Sequence, residues 1–279
     1  MPDWRPLIVR RKDGYPRIMG VINITPDSFF EDSRSNNISE TIKIAESMIQ
    51  NGADWLDVGG ESTRPGAEPV EEEEEISRVV PVIRELRGKF PEIGISVDTR
   101  RSKVAKLSLE EGADMINDIS ALSDENMINI IKQSDCYICL MHMKGLPGNM
   151  QDNPQYDDVV AEVRNRLNEK VSLLIREGID RKRIIVDPGI GFGKLLEHNL
   201  LLLKSGREVI PLSNVKLMWG VSRKSMFSEL LGRIEARDRL AGTLGIAAMS
   251  KLKAVDIIRV HDVAEHADLF RAMSSLEDF

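Results

Sequence analysis

Asp187 sits in the stretch 184–194, IIVDPGIGFGK, where three β-branched apolar residues run into Asp-Pro-Gly. Such a run reads as a buried strand that stops abruptly, leaving one carboxylate at its tip beside a glycine-rich loop. The glycines fall at 189, 191 and 193, so neither G-x-x-x-x-G-K-[ST] nor G-x-G-x-x-G fits and a nucleotide loop is disfavoured. Seven other apolar runs also end in polar groups. Asn23 closes one, with Asp27 just beyond, and Asp57 another, followed by Glu61, Thr63, Arg64 and Pro65. Asp98, the pair Asn117 and Asp118, and His142 close three more. Ser222, Arg223, Lys224 and Ser225 follow the seventh, and Arg259 and His261 end the eighth.

The set divides by chemistry. Asp98, Asn117 and Asp187 can line the edge of a flat heterocycle, because a carboxylate matches adjacent N–H groups as it matches a guanidinium fork. Met141 or Met143 and Phe192 supply apolar surface for the ring faces. Arg64, Lys224, Arg259 and His261 form a basic group, and Arg259 and His261, two apart on one strand, face the same way. A local positive cluster on an acidic chain reads as a phosphate or diphosphate site. Other catalytic systems find no motif: G-x-S-x-G, H-E-x-x-H and the H-x-H of barrel metallohydrolases are absent. His142, alone between two methionines, reads as structural. Any metal should be Mg²⁺, carried by substrate phosphate and few protein oxygens. The C-x-x-C of Cys136 and Cys139 falls inside a strand, which sends the two side chains to opposite faces as small core residues.

These groups need a scaffold that gathers strand ends. The chain repeats one phrase, a helix stop followed by Gly and an apolar strand, at residues 51–58, 111–118, 177–187 and, with Ala for Gly, 253–260. Strands are expected at 18–24, 55–59, 94–99, 115–119, 137–143, 184–187, 216–222 and 257–261. Amphipathic segments are expected at 41–50, 72–89, 103–110, 125–133, 156–177, 199–209, 237–251 and 263–273. Eight strand–helix pairs in this length point to a single (β/α)8 TIM barrel of class α/β over 1–279, with 1–17 as an N-terminal extension or hairpin. A doubly wound open sheet is the competitor. Pro81 should kink or split its helix. The acidic run at 71–75 reads as a solvated first turn. The long connections at 26–39, 61–70 and 144–154 all follow strands, on the face where barrel enzymes work.

The bulk properties exclude several classes. With 279 residues, 42% of them hydrophobic and 30% charged, the chain can fill a barrel core. A formal charge of −7 with no basic stripe argues against nucleic acid as a partner. No apolar run reaches the length of a membrane span, and the N-terminus lacks a signal-peptide core, so a cytoplasmic protein is expected.

Taken together, MGVINITPDSFFED, DVGGESTRPGAEPV, SVDTRRS, NDIS, MHMKGLPGNMQ, DPGIGFGK, GVSRKS and RVHDV resemble the dihydropteroate synthases, in that family's order and over nearly the whole chain. The resemblance implies a (β/α)8 barrel that joins 6-hydroxymethyl-7,8-dihydropterin diphosphate to p-aminobenzoate with release of pyrophosphate, aided by Mg²⁺, in a homodimer through the late helices. It places Asp98, Asn117, Met141, Asp187, Phe192 and Lys224 at the pterin, with Arg259 stacked on the ring. Asn23, Arg64, Arg259 and His261 would take the diphosphate, with Asn23 also a Mg²⁺ ligand. Phe29, Thr63, Pro65 and Ser225 would shape the p-aminobenzoate pocket. Asp27, Glu31, Arg64 and Lys224 would carry the chemistry, a dissociative substitution under a lid of the first two loops. The first loop departs from the family pattern, with Phe30, Glu31, Asp32 and Ser33 where Ser, Asp, Gly, Gly is usual, which leaves a different aryl amine open. Ala121 replaces a common glycine. A methyltetrahydrofolate-dependent methyltransferase of a related barrel would not need the basic cluster. A pterin-binding protein without turnover would not need an intact diphosphate site.

Overall fold

The eight apolar runs form eight parallel strands that pair in chain order and close on themselves: β1 (Arg17–Asn23), β2 (Trp55–Gly59), β3 (Gly94–Asp98), β4 (Met115–Asp118), β5 (Tyr137–Met141), β6 (Ile184–Asp187), β7 (Lys216–Trp219) and β8 (Ile257–Val260). This is a (β/α)8 barrel in a computed structural model that describes residues 8–24, 34–61, 70–145 and 150–277. The pairing of β1 with β8, Met19 opposite Arg259, rules out the open doubly wound sheet.

The helices on the outside are α1 (Arg34–Gln50), α2 (Glu72–Lys89), α3 (Ser102–Glu110), α4 (Met127–Lys132), α5 (Val159–Arg176), α6 (Leu196–Ser205), α7 (Met226–Leu231), α8 (Leu240–Ala247) and α9 (Val263–Glu277). Several differ from expectation. The short α7 was not foreseen, and the segments at 199–209 and 237–251 each split into an α-helix and a 3₁₀ turn. Pro81 does not divide α2: it sits on a half-exposed face, and buried Val79, Val80, Val82, Ile83 and Leu86 hold the helix in place on either side. One missing N–H is tolerable where packing carries most of a helix's stability. The acidic run is only partly solvated, because Glu75 is buried and ion-paired with Arg101. Residues 8–16 carry no strand; the chain reverses at 11–15, where Arg11 N–H donates to the Tyr15 carbonyl and Gly14 N–H to the Arg11 carbonyl, each at 2.9 Å.

Strand alternation sorts the side chains into an outer core and a barrel interior. The outward set, including Ile18, Leu56, Val97, Leu140, Val186 and Trp219, packs against the helices. The inward set begins with an apolar layer of Met19, Trp55, Met115, Cys139, Ile185, Met218 and Ile257, joined by Ile8. Trp55 occupies the space a side chain at position 94 would need, since a Cβ on Gly94 would lie 2.3 Å from its indole ring. Cys136 and Cys139 fall in the outer and inner sets, as their spacing predicts. Among the described residues no helix is long and apolar enough to cross a membrane.

Candidate active site at the C-terminal mouth of the barrel

One or two pleats above the apolar layer, the inward positions become polar. Two residues beyond Trp55, Met115, Ile185 and Ile257 come Asp57, Asn117, Asp187 and Arg259, and Asp98 follows Ser96 on β3. Register brings them into one ring: Asp98 lies opposite Asn117, and Met141 opposite Asp187. Arg259 spans the floor, its Nε donating to Asp57 at 2.6 Å and its Nη2 to Asp98 at 2.7 Å. Asn117 Nδ2 donates to the same Asp57 oxygen at 3.1 Å. Burial would lower the pKa of Arg259, but Asp57 and Asp98 outweigh it and hold the guanidinium charged. Burial raises Asp98 to about 7, against the pull of Arg259 and with repulsion from Asp57 adding to it. Burial also raises Asp187, opposed by the N–H of Gly189, which donates to Oδ1 at 2.7 Å, and by Lys224.

The wall above is apolar. Phe192 packs with Ile119, Met141 and Met150, with Met143 alongside, and the Lys224 ammonium lies 4.0 Å from the centre of its ring. Burial draws Lys224 down to about 8, against the pull of Asp187. Its place is set by Arg223, which adopts a left-handed backbone at φ 55°. A non-glycine residue is held there only by its surroundings. Here Arg223 pairs with Asp262, and its N–H donates to Thr243 Oγ1 at 3.0 Å.

The glycines after β6 are required by the neighbouring backbone. A Cβ on Gly189 would lie 1.8 Å from the His142 carbonyl oxygen, and one on Gly193 would lie 2.2 Å from that of Lys144. The glycines therefore let the loop after β6 pack on the backbone after β5. Buried Lys194 pins the two together, 3.0 Å from His142 Nδ1, 3.3 Å from the His142 carbonyl and 2.9 Å from that of Phe192. Burial and then Lys194 lower His142 to about 3, so it is a neutral acceptor within this joint. Lys194 itself is drawn to about 7 by burial.

His261 also differs from expectation. Burial, reinforced by Arg259, lowers it to about 4, so it is not a ready-made positive charge. Its backbone N–H donates to Ser222 Oγ at 3.1 Å, and its Nδ1 shares a hydrogen bond with the same hydroxyl at 2.9 Å. The neutral ring keeps one N–H able to donate. Asn23, at the end of β1, is exposed at the mouth, and Ser225 is exposed at the start of α7. Asp118 turns away from the ring and anchors the turn after β4, accepting from Ser120 N–H at 2.8 Å and Leu122 N–H at 2.7 Å. Asp27, Phe29, Glu31, Thr63, Arg64 and Pro65 lie outside the described residues.

Three features escape the sequence reading: the bracing by Asp57, the Lys194 joint, and an ionic frame at the base of the second loop. In that frame Glu61 accepts from Arg100 Nε and Nη2, each at 3.1 Å, and from Val70 N–H at 3.1 Å. Burial would raise Glu61, but Arg100, the Val70 N–H and Arg101 together lower it. The signal was present in Arg100 and Arg101 after β3, two cations with no ligand role in the strand-end pattern.

A profile of the pterin binding enzymes matches residues 19–261. The dihydropteroate synthase of Neisseria meningitidis serogroup C is 44% identical, over 94% of this chain and 93% of its own length. The chain belongs to this family. The dihydropteroate synthase of Escherichia coli K12 is 42% identical, over 94% of this chain and 92% of its own. The family's solved structures have the same barrel. The Yersinia pestis enzyme in a sulfonamide drug complex superposes with a TM-score of 0.88 at 36% identity, covering 96% of this chain and 97% of that one. The Xanthomonas albilineans enzyme in complex with 7,8-dihydropteroate does so at 0.84 and 33%, covering 96% of each.

Proposed function

We propose that the protein is a transferase that condenses 6-hydroxymethyl-7,8-dihydropterin diphosphate with p-aminobenzoate, giving 7,8-dihydropteroate and pyrophosphate. The carrying observation is the ring of acceptors from three strands, Asp98, Asn117 and Asp187, braced from below by Asp57 and closed by Arg259 and Lys224 beside Phe192. Asp98, Asn117 and Asp187 accept from the N–H groups of the pterin edge, and Lys224 donates to its carbonyl oxygen. Met141 and Phe192 cover one ring face and Arg259 the other.

The reaction breaks the bond between the exocyclic carbon and the diphosphate oxygen and forms a C–N bond to the arylamine, which loses a proton. Negative charge gathers on the departing pyrophosphate, where prearranged positive charge helps most. Asn23, Arg64, Arg259 and His261 are assigned to that position. Asp27 and Glu31 are assigned to shielding the carbon centre from water, and Phe29, Thr63, Pro65 and Ser225 to the arylamine.

Asn23 offers a single neutral oxygen, and among the described residues no three His, Cys, Asp or Glu side chains gather to hold a metal. That donor set fits Mg²⁺ carried mainly by substrate phosphate oxygens. Bound there, Mg²⁺ would neutralise charge on the leaving group. We assign the chain to one cytoplasmic barrel domain that pairs as a homodimer through its late helices. Exposed Leu201, Leu230, Leu231, Ile234, Leu252 and Leu276 support that surface.

Incubation with Mg²⁺, the dihydropterin diphosphate and labelled p-aminobenzoate should yield dihydropteroate. Tight pterin binding without product would overturn the proposed turnover. Product formed only with a larger arylamine would change the substrate and keep the chemistry.

A further inference from the structure

Asp57 is wholly enclosed, at 0% exposure, yet it has no part in either half of the proposed reaction. It lies level with Ser96, one pleat below Asp98, too deep to share the ring edge. Both hydrogen bonds it accepts come from site residues, Arg259 Nε at 2.6 Å and Asn117 Nδ2 at 3.1 Å, and both reach Oδ2. Its other oxygen, Oδ1, has no hydrogen-bond partner among the described residues. A carboxylate that merely held the fold together would bond to backbone or scaffold groups.

We propose that Asp57 is the positioning residue of the pterin site, fixing the Asn117 amide with its oxygen toward the ring edge and serving as the standing counter-ion of Arg259. The proposal rests on the pterin reading above.

The amide of Asn117 can face the ring in two ways. Because Nδ2 is spent on Asp57, Oδ1 is left buried and without a partner. A buried acceptor in that state is costly until a donor arrives. An amino-amide edge brings donors, so Asn117 Oδ1 joins the carboxylates of Asp98 and Asp187 as a third acceptor. Turned over, the same amide would set N–H against N–H. The second task concerns Arg259, which holds Asp98 through Nη2 at 2.7 Å. The pterin edge competes for that carboxylate. When Asp98 turns to the ring, Arg259 keeps its bond to Asp57 through Nε, and its Nη groups become available to the substrate.

Calorimetric titration with pterin tests this on the full chain, comparing wild type, Asp57→Asn, and the exchanged pair Asp57→Asn with Asn117→Asp. The single variant should lose at least tenfold in pterin affinity. In the exchanged pair the hydrogen bond runs in the opposite direction and a carboxylate oxygen again faces the ring, so affinity should recover to within tenfold of wild type, the remaining deficit reflecting the counter-ion that Arg259 has lost. A purely structural Asp57 would lower the melting temperature without that recovery. A loss below tenfold in Asp57→Asn, or an exchanged pair that binds no better than it, overturns the proposal. Should Asp57→Asn fail to fold, the exchanged pair alone decides, and a deficit beyond tenfold overturns it. Failure of the wild type to bind pterin would instead sink the pterin reading itself.

Discussion

The lower and upper halves of the barrel interior are built on the same strands and follow opposite rules. Met19, Trp55, Met115, Cys139, Ile185, Met218 and Ile257 fill the lower half without a charge among them. Two residues further along, Asp57, Asn117, Asp187 and Arg259 make the upper half a cage of charges, with Asp98 and Lys224 above. The lower half gains from burial, at about 25 cal/mol per Å² of apolar surface. Burial works against the ionised forms in the upper half, raising Asp98 and Asp187 and lowering Lys224. The lower layer thus supports charges that would be unfavourable by themselves, and the proposed ligand recognition is concentrated where the fold is least self-sufficient.

Substitutions in the two halves should therefore separate stability from activity. Trp55→Ala removes the largest side chain of the lower layer and should cost about 3–5 kcal/mol of stability, with little change in KM for the pterin diphosphate under folding conditions. Arg259→Ala should do the reverse. It removes the cation shared by Asp57 and Asp98, and kcat/KM should fall at least about 100-fold, or about 2.7 kcal/mol. Denaturant unfolding and steady-state kinetics on both variants check the contrast. Turnover that survived Arg259→Ala would break the assignment of the upper half, and a Trp55→Ala protein of unchanged stability would break that of the lower.

The pH dependence of kcat/KM, which reports the free enzyme, sharpens the same comparison. Asp98, raised to about 7, must be ionised for its proposed role of accepting from the pterin edge, so activity should fall as pH drops through 7. Lys224, lowered to about 8, must be protonated for its proposed role as donor, so activity should also fall as pH rises through 8. A narrow bell is expected. Lys224→Met should abolish its alkaline limb on the activity that remains, whereas lower-half variants should leave both limbs in place. A flat profile between pH 6 and 9 would contradict the charged cage.

The strand ends and the barrel were legible because both follow from local pattern, a period of two and a repeated helix stop. Asp98, Asn117, Asp187, Lys224 and Arg259 were found that way and do converge. Asp57 was visible as a polar strand residue, but its role depends on bonds to β4 and β8, residues 60 and 202 positions away. Lys194 reaches His142 across 52 residues, a pairing that no spacing rule supplies. The steric role of the glycines was hidden for the same reason, since the backbone they approach belongs to the preceding strand's loop. Helix α7 has only six residues, too few for an amphipathic period to emerge.

The smallest effect concerns the turn after β4, which carries Ile119 into the wall beside Phe192. Ala121 and Leu122 both adopt left-handed backbone there, at φ 49° and 67°. An L-residue with a Cβ is disfavoured in that region by about 1–2 kcal/mol, which glycine avoids. Asp118 offsets part of the cost through its bonds to Ser120 and Leu122. Ala121→Gly should relieve the strain but add unfolded-chain entropy, a counter-effect of about 0.4–1 kcal/mol. The net should be a stabilisation of about 0.5–1 kcal/mol, read as a higher denaturant midpoint at constant slope, with kcat and KM unchanged. The upper half would then tolerate relief of strain in its supporting turn, though it does not tolerate loss of a charge. A destabilised Ala121→Gly protein would mean that the alanine methyl contributes packing at the rim worth more than the strain it causes.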